Sequence, residues 1–211
     1  MLKNRNIKNM YQTIKETISS LDHSKLSEER KIILQPLITF IKEKNSADKE
    51  ISLNFICTHN SRRSHLTQIW AQTMACYFNI KNVSCYSGGT EATAMFSEVV
   101  NTLKINGFEI HKISNETNPV YAVKFDGNTQ PIIGFSKKYD AKFNPDAGFA
   151  AIMTCSQADG GCPFILGAEK RIPVTYEDPK LFDGKENQSE KYLERSLQIA
   201  LEMHYVFSKI A

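Results

Sequence analysis

Residues Ile51 to Trp70 read ISLNFICTHNSRRSHLTQIW, an apolar strand that runs into a cysteine, a polar loop and then a helix. The loop carries the chemistry. Cys57 and Arg63 stand six apart, with Thr58, His59, Asn60, Ser61 and Arg62 between them and Ser64 directly after, giving C-x5-R-S. A reactive thiolate needs a low-pKa environment, and the unpaired backbone N–H groups of a helix N-terminus supply one. The same N–H groups suit a tetrahedral oxyanion. Arg63 adds a planar fork able to hold two oxygens of that anion, which a lysine does less well.

Downstream, residues 64–79 read as a helix, Val83 to Ser87 as a short strand closed by Gly88-Gly89, and Ala94 to Asn106 as a helix ending at Gly107. FAAIMT at 149–154 has strand length, Ile172 to Thr175 reads as the last strand, and Ser189 to Lys209 as a terminal helix with Tyr192, Leu193, Leu197, Ala200, Leu201 and Phe207 inward. Strand alternating with helix implies parallel pairing. The expected fold is therefore α/β, a four-stranded parallel sheet with helices on both faces. Between about 115 and 147 two alternating runs flank the turn Asp126-Gly127-Asn128, which reads as an inserted β-hairpin. Upstream, residues 6–22 carry Ile7, Met10, Ile14, Ile18 and Leu21 at helical spacing. A second helix spans about 27–44, with Ile33, Leu37, Phe40 and Ile41 on one face and Pro36 expected to kink or split it. These two form an N-terminal helical hairpin, residues 1–48, preceding an α/β domain at 49–211.

The chain has 211 residues, 41% hydrophobic and 23% charged, a size and composition suited to one ordinary domain. No apolar run approaches the roughly 18 residues of a membrane span. The first residues carry positive charge without an apolar stretch behind them, so no signal peptide is read and a cytoplasmic location is expected. Five cysteines, an odd number, point to free or redox thiols rather than a structural disulfide framework. The net charge of +3 is mild and the basic residues are scattered, which disfavours nucleic acid as a partner.

Three strand ends deliver chemistry to one edge: Cys57 after the first, Cys155 after the third and Asp178 after the fourth. In an open parallel sheet that edge is where ligands bind. Ser64 is placed to donate to the Cys57 sulfur or to cap the helix, and Asn60 tolerates left-handed backbone geometry. Arg62 and His59 either tune the charge of the loop or face solvent. Asp178, in Tyr-Glu-Asp-Pro, is a turn-former or a proton donor to a leaving oxygen. Cys155 and Cys162 bracket a small glycine-bearing run; seven apart is the wrong spacing for a zinc site but suits a segment that opens so that two sulfurs meet. No metal site is expected. Cys76 and Cys85 read as buried small hydrophobes.

The run Cys57 to Ser64, with Cys155-Ser156-Gln157-Ala158-Asp159-Gly160-Gly161-Cys162-Pro163 and Glu177-Asp178-Pro179, resembles the thioredoxin-coupled arsenate reductases of the low-molecular-weight protein tyrosine phosphatase superfamily. The resemblance covers about residues 50–208 without the hairpin. It implies Cys57 as nucleophile, Arg63 as the oxyanion-binding arginine, Thr58 to Arg62 and Ser64 as the rest of the anion loop, Asp178 as general acid, and Cys155 and Cys162 as relay thiols. A Cys57–Cys155 disulfide would form as arsenite leaves and pass on to Cys155–Cys162, which an external thiol reductant such as thioredoxin would reduce; no bound cofactor is implied. The departures are His59 where the family usually has glycine, Arg62 where it has a second cysteine, and Gln68 where a glutamate often stands beside a monovalent-cation site. The N-terminal helices and the hairpin have no counterpart in the family. Two rivals stand beside this reading: a tyrosine phosphatase that hydrolyses phosphomonoesters through a cysteinyl-phosphate, and a silent binder of phosphate-like anions.

Overall fold

The computed structural model describes residues 9–161 and 164–211. Strand β1 (Ile51–Cys57) lies between β2 (Val83–Gly89) and β6 (Phe149–Met153), and β7 (Ala168–Pro173) flanks β6 on the far side; all three pairings are parallel. Alternation along β1 sorts its side chains between two cores, as strand geometry requires. Ile51, Leu53 and Phe55 enter the larger core, with Ala150, Ile152 and Ile172 from neighbouring strands. Ile56 joins Phe149, Ala151 and Met153 in a smaller cluster on the opposite face, and Cys57, where the strand ends and alternation stops, belongs to that cluster too.

The helices divide unequally between these faces. The larger core is covered by α1 (Gln12–Ser19), α2 (Glu28–Ser46), α3 (Arg63–Tyr77), α4 (Ser97–Ile105) and α6 (Gln188–Ser208), which contribute Ile14, Leu37, Trp70, Val99 and Met203 among others. The other face carries the short α5 (Ser156–Gly161), with Ala158, Ile165 and Tyr139 over the smaller cluster.

Pro36 does not split α2. It and Ile32, whose carbonyl loses its usual N–H partner four residues on, are both exposed, so water can take that bond. The buried stripe is Leu34, Leu37, Ile38, Phe40 and Ile41; Ile33 falls off it and is 42% exposed. In α6 the inward face is Tyr192, Ser196, Ile199, Ala200, Met203, Val206 and Phe207, whereas Leu197 and Leu201 border a groove against the segment between α1 and α2 and the first turn of α2. Tertiary packing, not the count of apolar residues, set which stripe turned in.

The expected hairpin is present and larger than its turn signal implied. Strand β4 (Tyr121–Lys124) pairs antiparallel with β5 (Ile132–Gly134), with Val123 opposite Ile132, and β3 (Glu109–Lys112) adds a third strand. Val123, Phe125 and Ile132 enter the larger core. The Tyr11 N–H donates to Phe125 O at 3.0 Å, fastening the start of α1 to this sheet. After β5 the chain runs beside the end of β2, where the Gly89 N–H donates to Lys137 O and the Tyr139 N–H to Gly89 O, both at 2.9 Å. The last strand begins at Ala168, earlier than the expected Ile172, because Phe149 pairs with Ala168 at the opposite end of β6 from the site.

Candidate active site

Cys57 ends β1 and Arg63 begins α3, so five residues make the turn between strand and helix. Asn60 makes it possible. Its φ is +43°, a left-handed conformation that asparagine tolerates better than most residues. Its amide Nδ2 donates to Ser64 Oγ at 2.8 Å, and Ser64 Oγ lies 3.1 Å from Cys57 Sγ. The three residues are buried, so the sulfur sits at the end of a fixed polar chain.

Donors outside the loop hold its carbonyls. Cys57 O accepts from the Thr90 N–H, Thr58 O from the Glu91 N–H, His59 O from Thr93 Oγ1 and Ser136 Oγ, and Ser61 O from the Phe96 N–H. Because each peptide unit is planar and trans, the N–H groups that follow these carbonyls point away from the same partners. This is the polarity an anion-binding loop needs. Gly89 lets it close: a Cβ there would lie 2.3 Å from Glu91 O and 2.7 Å from both Asn60 N and Thr58 O, all of them backbone atoms.

A cavity of about 510 Å³ opens above the loop, lined by Cys57, Thr58, His59, Ser61, Arg62 and Arg63 on one side. Ser156, Gln157, Tyr176, Asp178, Lys180 and Leu181 are among those facing them. Its volume falls within the roughly 300–1,000 Å³ range of ligand pockets. Arg63 donates to Tyr176 O at 2.9 Å and pairs with Asp178 Oδ2 at 2.5 Å. Asp178 Oδ1 also accepts from the Lys180 N–H at 3.1 Å, capping the 3-10 turn Pro179–Phe182. Asp178 thus caps a turn, as the Asp-Pro dipeptide suggested, and also lines the cavity.

Arg62 does not offer a free fork. Its Nε donates to Tyr192 OH at 2.6 Å, one Nη pairs with Asp183 Oδ2 at 2.5 Å, and the guanidinium lies 4.1 Å over the Phe96 ring. Tyr192 OH donates in turn to Asp183 Oδ1 at 2.6 Å. Arg62 is thus a strut between the loop and the segment that carries Asp178. His59 stands at the cavity wall with Nδ1 3.2 Å from Glu91 Oε2, without hydrogen-bond geometry.

Cys155 follows β6 on the same edge and is fully buried. Its sulfur accepts from the Ala158 N–H at 3.3 Å and lies 3.5 Å from Thr58 Oγ1, and it shares the smaller apolar cluster with Cys57. Cys162 lies outside the described residues. Burial pushes the Cys76 thiol up and the Cys85 thiol well above its usual range, which keeps both protonated and apart from this chemistry. Sequence reasoning missed Asp183, Tyr192, Gln157 and Lys137. Only Gly88-Gly89 had given a local signal for its part, and that signal read as the end of a strand.

No family model matches the chain, and a search of curated proteins returns no match. Among solved structures, the chain is similar to a low-molecular-weight phosphotyrosine phosphatase from Vibrio cholerae O395 at 14% identity and TM-score 0.49, covering 75% of this chain and 94% of that one. It is similar to an arsenate reductase in the phosphate binding state at 17% identity and TM-score 0.48, covering 76% and 99%. It is also similar to a thioredoxin-dependent arsenate reductase from Corynebacterium glutamicum at 18% identity and TM-score 0.38, covering 89% and 81%. At such identities and TM-scores, likeness to these structures assigns no activity to this chain.

Proposed function

We propose that the protein reduces arsenate to arsenite through Cys57, Cys155 and Cys162. One observation carries the reading: a second thiol, Cys155, lies buried at the same sheet edge as Cys57 and is joined to its loop through Thr58. Hydrolysis of a phosphate ester has no use for it. The Cys57 thiolate attacks arsenic held by the loop amides and Arg63, and Asp178 protonates the departing oxygen, which leaves as water. Cys155 then attacks Cys57 Sγ; two thiols become one disulfide, and the electron pair passes to arsenic, which leaves as arsenite. Cys162 attacks Cys155 in turn, and an external dithiol of the thioredoxin type reduces the resulting disulfide.

Among the described lining residues the phenol ring of Tyr176 is buried and the His59 imidazole is the part-exposed ring, so no phenyl or indole face is offered to a phosphotyrosine, which supports a small inorganic anion. A thiol relay of this kind fits a reducing compartment such as the cytoplasm, and no described helix is long and apolar enough to cross a membrane. Residues 1–48 are read as a helical extension on a phosphatase-like unit at 49–211.

Single-turnover arsenite release by the reduced protein, followed by mass mapping of disulfides, tests the reading. Cys155→Ser should abolish arsenite release, and Cys162→Ser should trap a Cys57–Cys155 disulfide. Unchanged release by Cys155→Ser, together with fast hydrolysis of an aryl phosphate, would leave the phosphatase reading standing instead.

A further inference from the structure

Behind the anion loop, on the side away from the cavity, lies a buried amine that the reaction does not use. Lys137 is 4% exposed. Its backbone N–H donates to Asn60 Oδ1 at 2.9 Å, so it begins the polar chain that continues from Asn60 Nδ2 to Ser64 Oγ and on to Cys57 Sγ. Its Nζ donates to Phe135 O at 3.3 Å and lies 4.4 Å from the Phe135 ring and 5.2 Å from the Phe143 ring. No carboxylate among the described residues pairs with it. Its field reaches His65, which burial, with a further push from Lys137, lowers to about 3 and so keeps neutral. Next to His65 is Gln68. His65 Nε2 and Gln68 Oε1 are both buried without a hydrogen-bond partner among the described residues.

In the reductases that the motifs resemble, a glutamate at the position of Gln68 often stands beside a monovalent-cation site, and the residues present here do not fit such a cation. Gln68 is neutral, and its amide nitrogen donates to Cys85 O and Ile133 O, which leaves a single uncharged oxygen. The neighbouring imidazole is already under the field of one cation. A second cation would be repelled at a site with no anionic ligand to compensate.

We propose that Lys137 is a positioning residue that supplies, from within the chain, the buried positive charge behind the anion loop, and that no monovalent cation is taken up there. An unpaired buried ammonium destabilises a fold, and burial lowers Lys137 to about 7. Such a residue is retained at a cost to stability when function draws on it. A thiolate or bound oxyanion in the loop favours the charged amine, and the bond from the Lys137 backbone N–H to Asn60 Oδ1 holds the residue that bears the amine against the loop. The proposal rests on the anion-loop half of the functional reading and is independent of the cysteine relay.

Inorganic phosphate is the probe, read by titration calorimetry, with thermal unfolding alongside. For the wild type, replacing potassium chloride with tetramethylammonium chloride at equal ionic strength should change neither the thermal midpoint nor phosphate affinity. Lys137→Met should unfold at a higher temperature yet bind phosphate about tenfold more weakly. Lys137→Gln should weaken phosphate in the same way and serves if the methionine variant fails to fold. A lysine that only fills space would give a lower midpoint with phosphate affinity intact, and that result overturns the proposal. Potassium-specific stabilisation of the wild type overturns it as well. Absence of phosphate binding by the wild type removes both this proposal and the anion-loop reading, whereas phosphate binding without arsenite release removes the reductase reading alone.

Discussion

Replacing Arg62 by glutamine should cost both stability and catalysis, and the structure sets the scale. The variant loses the 2.5 Å ion pair with Asp183, the 2.6 Å bond to Tyr192 OH and the guanidinium stacked 4.1 Å over Phe96. The Arg62 side chain is 12% exposed and that of Asp183 26%, so this pair lies between an exposed bridge, worth about 0–1 kcal/mol, and a buried one whose breakage costs about 3–5 kcal/mol. The ring contact adds about 0.5–1 kcal/mol. A loss of about 2–3 kcal/mol follows, read as a lower urea midpoint at unchanged slope. The catalytic effect comes through geometry. Asp183 closes the turn that Asp178 opens, so a loosened Asp183 lets the acid shift, and displacements near 1 Å can cost up to about a hundredfold in rate. Arg62→Lys should recover part of the ion pair but not the fork. A double-mutant cycle of Arg62→Gln with Asp183→Asn should give a coupling of about 1–2 kcal/mol. Coupling near zero, with arsenite release unchanged, would show that the strut neither holds the two segments together nor positions the acid.

Gly89→Ala should be among the most damaging single-methyl additions in the chain. Three backbone atoms would lie within 2.7 Å of the new carbon, and circular dichroism melts together with phosphate titration should show both a lower midpoint and lost anion binding. Asn60→Ala removes the bonds to Ser64 and Lys137 and puts alanine at a φ of +43°; a loss of about 2–4 kcal/mol in urea unfolding is expected, with glycine at the same position recovering only the backbone part. Stability should also fall in acid. His65, lowered to about 3, and His204, lowered to about 4, both chiefly by burial, take up protons on unfolding below about pH 6.5. Their contribution is present above that pH and is lost as pH falls toward the folded values, at up to about 1.4 kcal/mol per pH unit for each. His204→Gln should flatten the pH dependence of unfolding between about 4 and 6.5, and an unchanged slope would remove His204 from that account.

Much of the frame was legible because periodicity and position agree. The apolar run before Cys57 could only be an interior strand, and FAAIMT likewise, since strands covered on both sides carry near-continuous apolar sequence. What escaped notice was set by contacts between distant segments. Ile33 looks as good a core residue as Leu34, and only the seat of α2 against the sheet decides between them. The third strand of the antiparallel sheet has no alternating pattern, because Glu109, His111 and Lys112 are exposed. Arg62 read equally well as an anion ligand or a solvated charge, since Asp183 and Tyr192 lie more than a hundred residues downstream. Lys137, in a polar run after the hairpin, has the composition of a surface loop, and nothing local betrays that its amine is enclosed.

The corrected roles of the loop residues sharpen the chemical reading. With Arg62 held by Asp183, the loop presents one guanidinium, that of Arg63, rather than two, and Arg63 is itself paired with Asp178. An arriving oxyanion must therefore compete with Asp178 for Arg63. On the proposed reading, an anion that takes Arg63 frees Asp178 to turn toward the departing oxygen, so the ground-state pairing of Arg63 with Asp178 couples anion entry to release of the acid. This step is common to phosphoryl and arsenyl transfer, so selection between them falls to what attacks Cys57 next. Water suffices for hydrolysis. Reduction requires a sulfur within reach of Cys57, and on the proposed reading that sulfur is Cys155, buried at the same edge, accepting from the Ala158 N–H and next to Thr58.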